Sequence, residues 1–415
     1  MKKSVLILSH QTLSMVDPIK QIVESWGYGY FILSSAPTRQ VPPAWSAAPG
    51  DHRVTAGLHL THTDIDQVVR DTEQTHQFMG CISVWDGYRH LMAYANQMFN
   101  ATDITEETVA LLRDKWRMRN RLAATGLSRV SCHLLDEARF QSITDREKYF
   151  IKPRTGLASM GTFPAASLTA YGQLAQLRAQ AAADRSYAGV FSDEADFIIE
   201  GLIDGVECSF EISLDQGALA VLAVHEKLEV AQSGFAMLEG ASLCPPRSLS
   251  TAQIEAGVAL LRCVMATLGA DTGVYHVEMK CDASGHWEII EINPRIGGAY
   301  IVESTRLHSG VCLLRQWLAL IIDGPRQARQ AGARHLFFRV FFGVPGRTLA
   351  RIGRHAGLPQ ALKESLLYQP GDTLPQVERE IFLGMALWNV TELTTGERAA
   401  LIAASQRYID TEYLA

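Results

Sequence analysis

The sequence of 415 residues has no apolar run of membrane-spanning length and no long tract of lysines and arginines. The first absence argues against a transmembrane helix, and the second removes the electrostatic footprint of a nucleic-acid binder. Cysteine is sparse: seven residues, at positions 81, 132, 208, 244, 263, 281 and 312, odd in number and without a C-x-x-C pair. That scatter argues against a disulfide frame or a zinc cage and fits reduced thiols. Met1-Lys2-Lys3 is followed by only six largely apolar residues, too few for the core of a secretory signal. The expected address is therefore cytoplasmic. There is no G-x-S-x-G elbow, which argues against a serine hydrolase, and no internal repeat or low-complexity tract.

What remains is ordinary globular composition, 47% hydrophobic and 20% charged, with a formal net charge of -6. The length exceeds one typical core, so two or three domains are expected. Ser4–Ser9 reads as a strand buried on both faces. Asp17-Pro18 opens a helix carrying Ile19, Ile22, Val23 and Trp26, which Gly27 stops. Strands over Tyr28–Leu33 and Met79–Val84, then a helix through Leu91–Phe99, complete a parallel α/β pattern. Thr105–Ala124 reads as one long helix. Beyond Tyr149 strands dominate: Phe197–Glu200, Val206–Leu214 and Leu219–Val230, with Asp215-Gln216-Gly217 as a hairpin turn. Ser250 and Gln253 form an expected capping box. Gly273–Lys280 and His286–Asn293 are a further strand pair, and a helix, a strand around Leu336–Val344 and a terminal amphipathic helix follow.

Four segments carry chemistry. Lys152-Pro153 ends a strand and meets a loop with Gly156, Ser159, Met160 and Gly161. Glycines let backbone N–H groups approach phosphate oxygens, although the P-loop spacing is absent and a bland strand-end turn is the competing explanation. Next come Glu200-Gly201-Leu202-Ile203 and Glu207. The strand edge at Glu200 could read an adenine and Glu207 could accept from ribose hydroxyls, unless both are solvated hairpin glutamates. Third, His276-x-Glu278 is followed by Glu291-x-Asn293-x-Arg295-x-Gly297-Gly298. Strand alternation sets Glu291, Asn293 and Arg295 on one face and Ile290 and Ile292 on the other. Glu278 and His276 are expected on the paired strand, facing the same way. Two carboxylates and an amide oxygen are the all-oxygen set that magnesium prefers, and Arg295 adds a fixed cation. The fourth segment, Asp114-Lys115-Trp116-Arg117-Met118-Arg119, reads by itself as a solvated helix face.

In this order, the segments resemble the ATP-grasp superfamily, specifically its carboxylate–amine ligases. The resemblance implies an α/β (α+β overall) ATP-grasp fold with a Rossmann-like parallel domain at residues 1–105, a linking helical region at 106–145, a lid subdomain at 146–205 and a catalytic antiparallel-sheet domain at 206–415. It implies ATP and Mg2+ (or Mn2+) as cofactors. Lys115 and Lys152 are similar to the phosphate-binding lysines, with Gly156, Ser159, Met160 and Gly161 as the loop over the nucleotide. Glu200, Gly201 and Ile203 match the adenine hinge, and Glu207 the ribose glutamate. Glu278, Glu291 and Asn293 match the metal ligands, and Arg295, with Lys152, the catalytic residues.

Within the superfamily the chain is most similar to L-amino-acid ligases that make dipeptides, including those of peptide-antibiotic pathways. That likeness implies a homodimer acting on amino acids or modified amino acids, with Glu239, Ser242, His276, Arg295, Gly297, Gly298 and Ala299 meeting the substrates. Some relatives carry Glu-x-x-His; here the stretch is Glu239-Gly240-Ala241-Ser242, so the histidine is missing. Some place a bulky residue where Ala299 stands, and its small size implies room for a larger amine. The implied reaction joins an amino-acid-like carboxylate to an amine through an acyl phosphate, releasing ADP and phosphate. The alternatives are a carboxylase-type enzyme that activates bicarbonate and a non-catalytic nucleotide-binding regulator.

Overall fold

A computed structural model describes the chain except for residues 13–14, 39–42, 44, 157–158, 191–195, 331–333, 356, 378 and 415. Leu157 and Ala158, within the expected nucleotide loop, thus lie outside the described residues. The strands β1 (Lys2–Ser9), β2 (Gly29–Ser34), β3 (His52–Val54) and β4 (His76–Ile82) form a parallel sheet in the order β3-β2-β1-β4. Ser4–Ser9 and all of β2 are buried. Such strands are covered on both faces, which is why they read as unbroken apolar runs. The helices α1 (Val16–Ser25), α2 (His62–Thr72) and α3 (Arg89–Met98) accompany them. A reciprocal Thr61–Asp64 capping box starts α2.

The segment Thr105–Ala124 is two helices rather than one, α4 (Glu106–Arg113) and α5 (Lys115–Ala124). Asp114 breaks the run because its carboxylate caps α5, accepting from the Arg117 N–H at 2.9 Å. The same carboxylate pairs with Arg154 at 2.7 Å, and the Lys115 N–H donates to the Arg154 carbonyl. This break carries Lys115 to the strand end of Lys152-Pro153.

A second, antiparallel sheet contains β5 (Cys132–Leu134), β6 (Tyr149–Pro153), β7 (Phe163–Pro164) and β8 (Phe197–Gly201), in the order β5-β8-β6-β7. With α6 (Glu137–Ser142) and α7 (Gln173–Ala183) it encloses its own core of Phe140, Ile151, Phe163, Leu174, Phe197 and Ile199.

The largest sheet is antiparallel. Its strands are β9 (Val206–Asp215), β10 (Ala218–Ser233), β11 (Ala236–Cys244), β12 (Gly273–Cys281), β13 (Trp287–Asn293) and β14 (Leu336–Gly343), joined by β16 (Lys363–Leu366) and β17 (Ile381–Asn389) beyond the separate β15 (Leu349–Arg354). The order is β13-β12-β9-β10-β11-β14-β17-β16, and β15 pairs instead with β18 (Ile409–Tyr413). Gln216 and Gly217 take φ of 49° and 82°, the left-handed pair that a tight β9–β10 hairpin needs. The expected Ser250–Gln253 capping box is present at the start of α8 (Thr251–Thr267).

After α9 (Ile301–Ser309), α10 (Leu313–Ile321) packs Leu314, Trp317, Leu318 and Ile321 into the same core as Val5–Leu8. Each fully buried aliphatic side chain there contributes about 1.5–3 kcal/mol. The parallel domain is thus completed by a helix from far along the chain. Gly80 permits the approach, since a Cβ there would lie 2.5 Å from Ile321 Cγ2. The terminal helix, α11 (Thr395–Ala404), is capped by Thr394 and Glu397. Among the described residues no helix is long and apolar enough to cross a membrane.

Candidate active site

A cleft with an empty volume of about 910 Å3, counted to its open mouth, separates the second sheet from the large one. Its apolar walls are Phe150, Leu202, Ile203, Val230, Met237 and Ile290. Lys115, Lys152, Glu278, Glu291, Asn293 and Arg295 face the same space. Gly156, Ser159, Met160, Glu200, Glu207 and Glu239 complete the expected residues that line it.

Lys152 ends β6, and its ammonium lies 2.6 Å from Glu200 on the neighbouring β8. Arg119 of α5 approaches the other oxygen of that carboxylate at 3.3 Å. Burial alone would raise the Glu200 pKa, but Lys152 and Arg119 together hold it below its ordinary value. The geometry makes Glu200 a fixed anchor that aims Lys152, while the backbone after it, Leu202 and Ile203, walls the cleft.

Glu278 and Glu291 stand directly opposite each other on β12 and β13. A register shift falls next to this pair: Glu278 faces Glu291, but Met279 faces Ile289. The extra residue is Ile290. The bulge corrects the simple alternation expected for β13, because Ile290 lines the cleft beside Glu291 whereas Ile292 is buried in the core. Lys115 reaches Glu291 at 3.2 Å, and the Asn293 amide donates to the same carboxylate at 2.9 Å. Burial would raise the Glu291 pKa and the Glu278 charge adds to that, yet Lys115 holds it below its ordinary value.

The donor set of Glu278, Glu291 and Asn293 suits a hard divalent cation. Like charges directly opposite on paired strands repel, and a divalent ion with oxygen preference removes that conflict. A second acidic group, Glu207, Glu239 and Glu278, has oxygens within 4.8 Å of one another. The chain's own cation fills it: the Lys227 ammonium lies 2.9 Å from Glu207, 2.5 Å from Glu239 and 2.9 Å from Glu278. Burial opposes the charge on Lys227, but the three carboxylates push its pKa well above the ordinary value. Removal from water, with Glu278 and Glu207 nearby, raises Glu239 to about 7 despite Lys227.

His276 lies buried behind Glu278. Its Nδ1 is 2.7 Å from Glu211, and its Nε2 is 3.1 Å from Glu278. Burial would lower its pKa, but Glu211 and Glu278 raise it to about 10, so the ring is an imidazolium bridging two carboxylates. Gly297 is packed under it, since a Cβ there would come within 2.8 Å of His276 Nδ1.

Several expected site residues sit elsewhere. Gly161 lines a second cavity, on the far side of Met160, together with Phe235 and Arg379. The Gly201 N–H is engaged by the Ser131 carbonyl. Ser242 is buried in β11 between Lys227 of β10 and Phe338 of β14. Gly298 and Ala299 are exposed. Arg119, expected on a solvated helix face, is instead buried against Glu200. Conversely, residue-by-residue reading passed over Lys227, Glu211 and the role of Asp86, whose carboxylate meets Arg295 at 3.2 Å. A charged residue between Phe210 and Ile212 of β9 is the signal that could have found Glu211, whereas Lys227, in the mixed run His225-Glu226-Lys227-Leu228-Glu229, carries no such signal.

Residues 146–303 match the ATP-grasp domain family. The chain has the ATP-grasp fold, with the parallel amino-terminal domain and antiparallel sheets that its resemblance implied. Within that fold it is similar along its whole length to an L-amino acid ligase from Bacillus licheniformis, at 18% identity and a TM-score of 0.79, covering 100% of this chain and 99% of that one. It is also similar to a carboxyaminoimidazole ribonucleotide synthase from Aspergillus clavatus complexed with ATP (13% identity, 97% of each chain, TM-score 0.70). A third likeness is to the biotin carboxylase domain of Hydrogenobacter thermophilus 2-oxoglutarate carboxylase, in complex with MgADP and bicarbonate (12% identity, 100% of this chain and 92% of that one, TM-score 0.66). No curated protein sequence matches significantly.

Proposed function

We propose that the protein is an ATP-dependent carboxylate–amine ligase that joins an amino-acid-like carboxylate to an amino acid, forming a peptide bond. In this reading it acts in the cytoplasm as a homodimer, on free or modified amino acids, in dipeptide synthesis of the kind antibiotic pathways use. One observation carries the reading. Lys115, Lys152, Glu278, Glu291, Asn293 and Arg295, drawn from three parts of the fold, line a single cleft. The likeness to an L-amino acid ligase supports the choice of substrates.

The apolar slot of Phe150, Leu202, Ile203, Val230, Met237 and Ile290 takes the adenine. Lys115 and Lys152 take the phosphates, Lys152 being aimed by Glu200. Magnesium, or manganese in its place, would be held by Glu278, Glu291 and Asn293 and would supply charge compensation for the triphosphate. The acid attacks the γ-phosphate of ATP, giving an acyl phosphate and ADP. The amine then displaces phosphate while Arg295 offsets charge on the acyl oxygen. Water must be kept from the acyl phosphate. The loop through Met160 closes this side: Met160 bridges to Ala236, and Phe235 packs edge-on against Phe163 at 4.7 Å.

The test is phosphate release from ATP and magnesium with paired amino acids, followed by mass spectrometry of the product. A peptide mass and amine-dependent phosphate are expected. Phosphate release that needs bicarbonate and no amine would instead identify a carboxylase. No release with any pair or with bicarbonate would favour a regulator.

A further inference from the structure

The loop that carries Arg295 leaves β13 and runs against the parallel domain, which grips it at two points. Asp86, on the turn after β4, accepts from Arg295 Nε at 3.2 Å. Arg89, three residues on, donates from Nε to the carbonyl of Pro294 at 2.8 Å. One contact holds the Arg295 side chain and the other holds the backbone just before it. Both anchors are themselves fixed. The Asp86 side chain is 3% exposed, and its second oxygen is taken by Arg113 at 3.0 Å. Arg89 is buried, paired with Asp103 and packed over Trp317. Arg295 Nη1 donates to the Ile296 carbonyl, and Nη2 has no partner among the described residues while the side chain faces the cleft. Asp86 and Ile296 therefore take Nε and Nη1 and leave the Nη2 donors for a ligand.

We propose that Asp86 is the positioning residue for Arg295, so that the parallel domain sets the orientation of the cation in the catalytic cleft. Its carboxylate never touches substrate; it acts by holding the guanidinium plane. A buried carboxylate with two arginines on it is also good interdomain glue, and the experiment must separate the two roles. The kinetic arm rests on the ligase reading, whereas the spectroscopic arm does not.

The experiment is a double-mutant cycle of Asp86→Asn and Arg295→Lys in the full chain. Loss of a group that orients an active-site residue costs about 10- to 100-fold in activity. Asp86→Asn is therefore expected to lower kcat for phosphate release by that factor, with KM for ATP unchanged. In the Arg295→Lys background it should add no further loss. If Asp86→Asn does not fold, Asp86→Glu keeps the charge, shifts the carboxylate by one methylene and enters the same cycle. In parallel, the Nε–Hε resonance of Arg295, assigned by its disappearance in Arg295→Lys, should be ordered in the wild type and mobile in the Asp86 variant. Independent, multiplying losses, or an Arg295 resonance equally ordered without Asp86, would overturn the proposal. A wild type without amine-dependent phosphate release sinks the ligase reading, and the resonance alone then decides the role of Asp86.

Discussion

The ammonium of Lys227 and the carboxylate of Glu278 lie 2.9 Å apart beside the cleft, on strands separated by β9. Because Lys227 also meets Glu207 and Glu239, it is the common counter-charge of three carboxylates. Breaking a buried ion pair by removing one partner costs about 3–5 kcal/mol. Lys227→Met should destabilise the fold by an amount in that range, read as a shift in the denaturant midpoint. The bared carboxylates should also let Mn2+ raise the melting temperature of the variant more than that of the wild type. A variant as stable as its parent would show that the cluster tolerates an uncompensated charge.

Acid should unfold the protein through Glu200 and Asp86. Burial would raise both pKa values, but Lys152 and Arg119 hold Glu200 below 4.5, and Arg113, Arg295 and Lys115 hold Asp86 below 3.8. A folded-state pKa below the unfolded one gives stability that is present above the unfolded value and is lost as pH falls through the folded one. Stability should therefore be level above those ordinary values and decline below them. Glu200→Gln should lower stability at neutral pH and flatten the acid limb. Urea midpoints across pH would check this, and an unchanged slope would contradict it.

Glu291→Gln and Arg295→Ala should each abolish phosphate release while leaving the circular dichroism spectrum unchanged. Both side chains line the cleft rather than a core, so their loss acts on chemistry. Full turnover in either variant would refute their placement in the reaction.

Gly297→Ala tests the support behind His276. The added methyl would lie 2.6 Å from Ile301 Cγ2 and 2.8 Å from His276 Nδ1. Overpacking of this kind costs about 1–3 kcal/mol, and the natural relief is to push the ring off Glu211. A lower melting temperature together with reduced turnover is expected. Normal values of both would mean that the loop yields without moving the ring.

Ala299→Trp bears on amine size. Ala299 is exposed and holds a left-handed φ of 49°, so the indole would stand at the open side of the Arg295–Gly298 loop. Bulky amines should lose more kcat/KM than small ones. Equal treatment of both would remove Ala299 from the substrate path.

Periodicity and turn chemistry made much of this molecule legible. The buried strands β1 and β2, the Gln216-Gly217 hairpin and the Ser250 cap all follow from local preferences, and the structure shows them. So does the cross-strand opposition of Glu278 and Glu291, which needed only the recognition of a hairpin. Other features depend on contacts distant in sequence. Nothing near Asp114 says that its carboxylate will find Arg154 and split a helix. Nothing near Asp86 announces Arg295, 209 positions away. The outward turn of Ile290 requires a bulge, which shifts the two-residue period by one and is invisible to a rule that assumes the period holds. Lys227 was hidden for another reason: an isolated lysine in a strand reads as solvent-facing until three acids are seen to surround it.

The eight-stranded sheet runs without a break from the Glu291 strand at one margin to Lys363–Leu366 at the other. A chain ending before Leu336 would therefore not simply lose an appendage. It would strip β11 of one of its two neighbours, leaving the outer margin of Ala241–Cys244 bare and its buried side chains uncovered on that side. Bare strand margins recruit other chains. Shortened versions of this protein should accordingly precipitate, and the segment from Leu336 onward should be required to keep the cleft soluble.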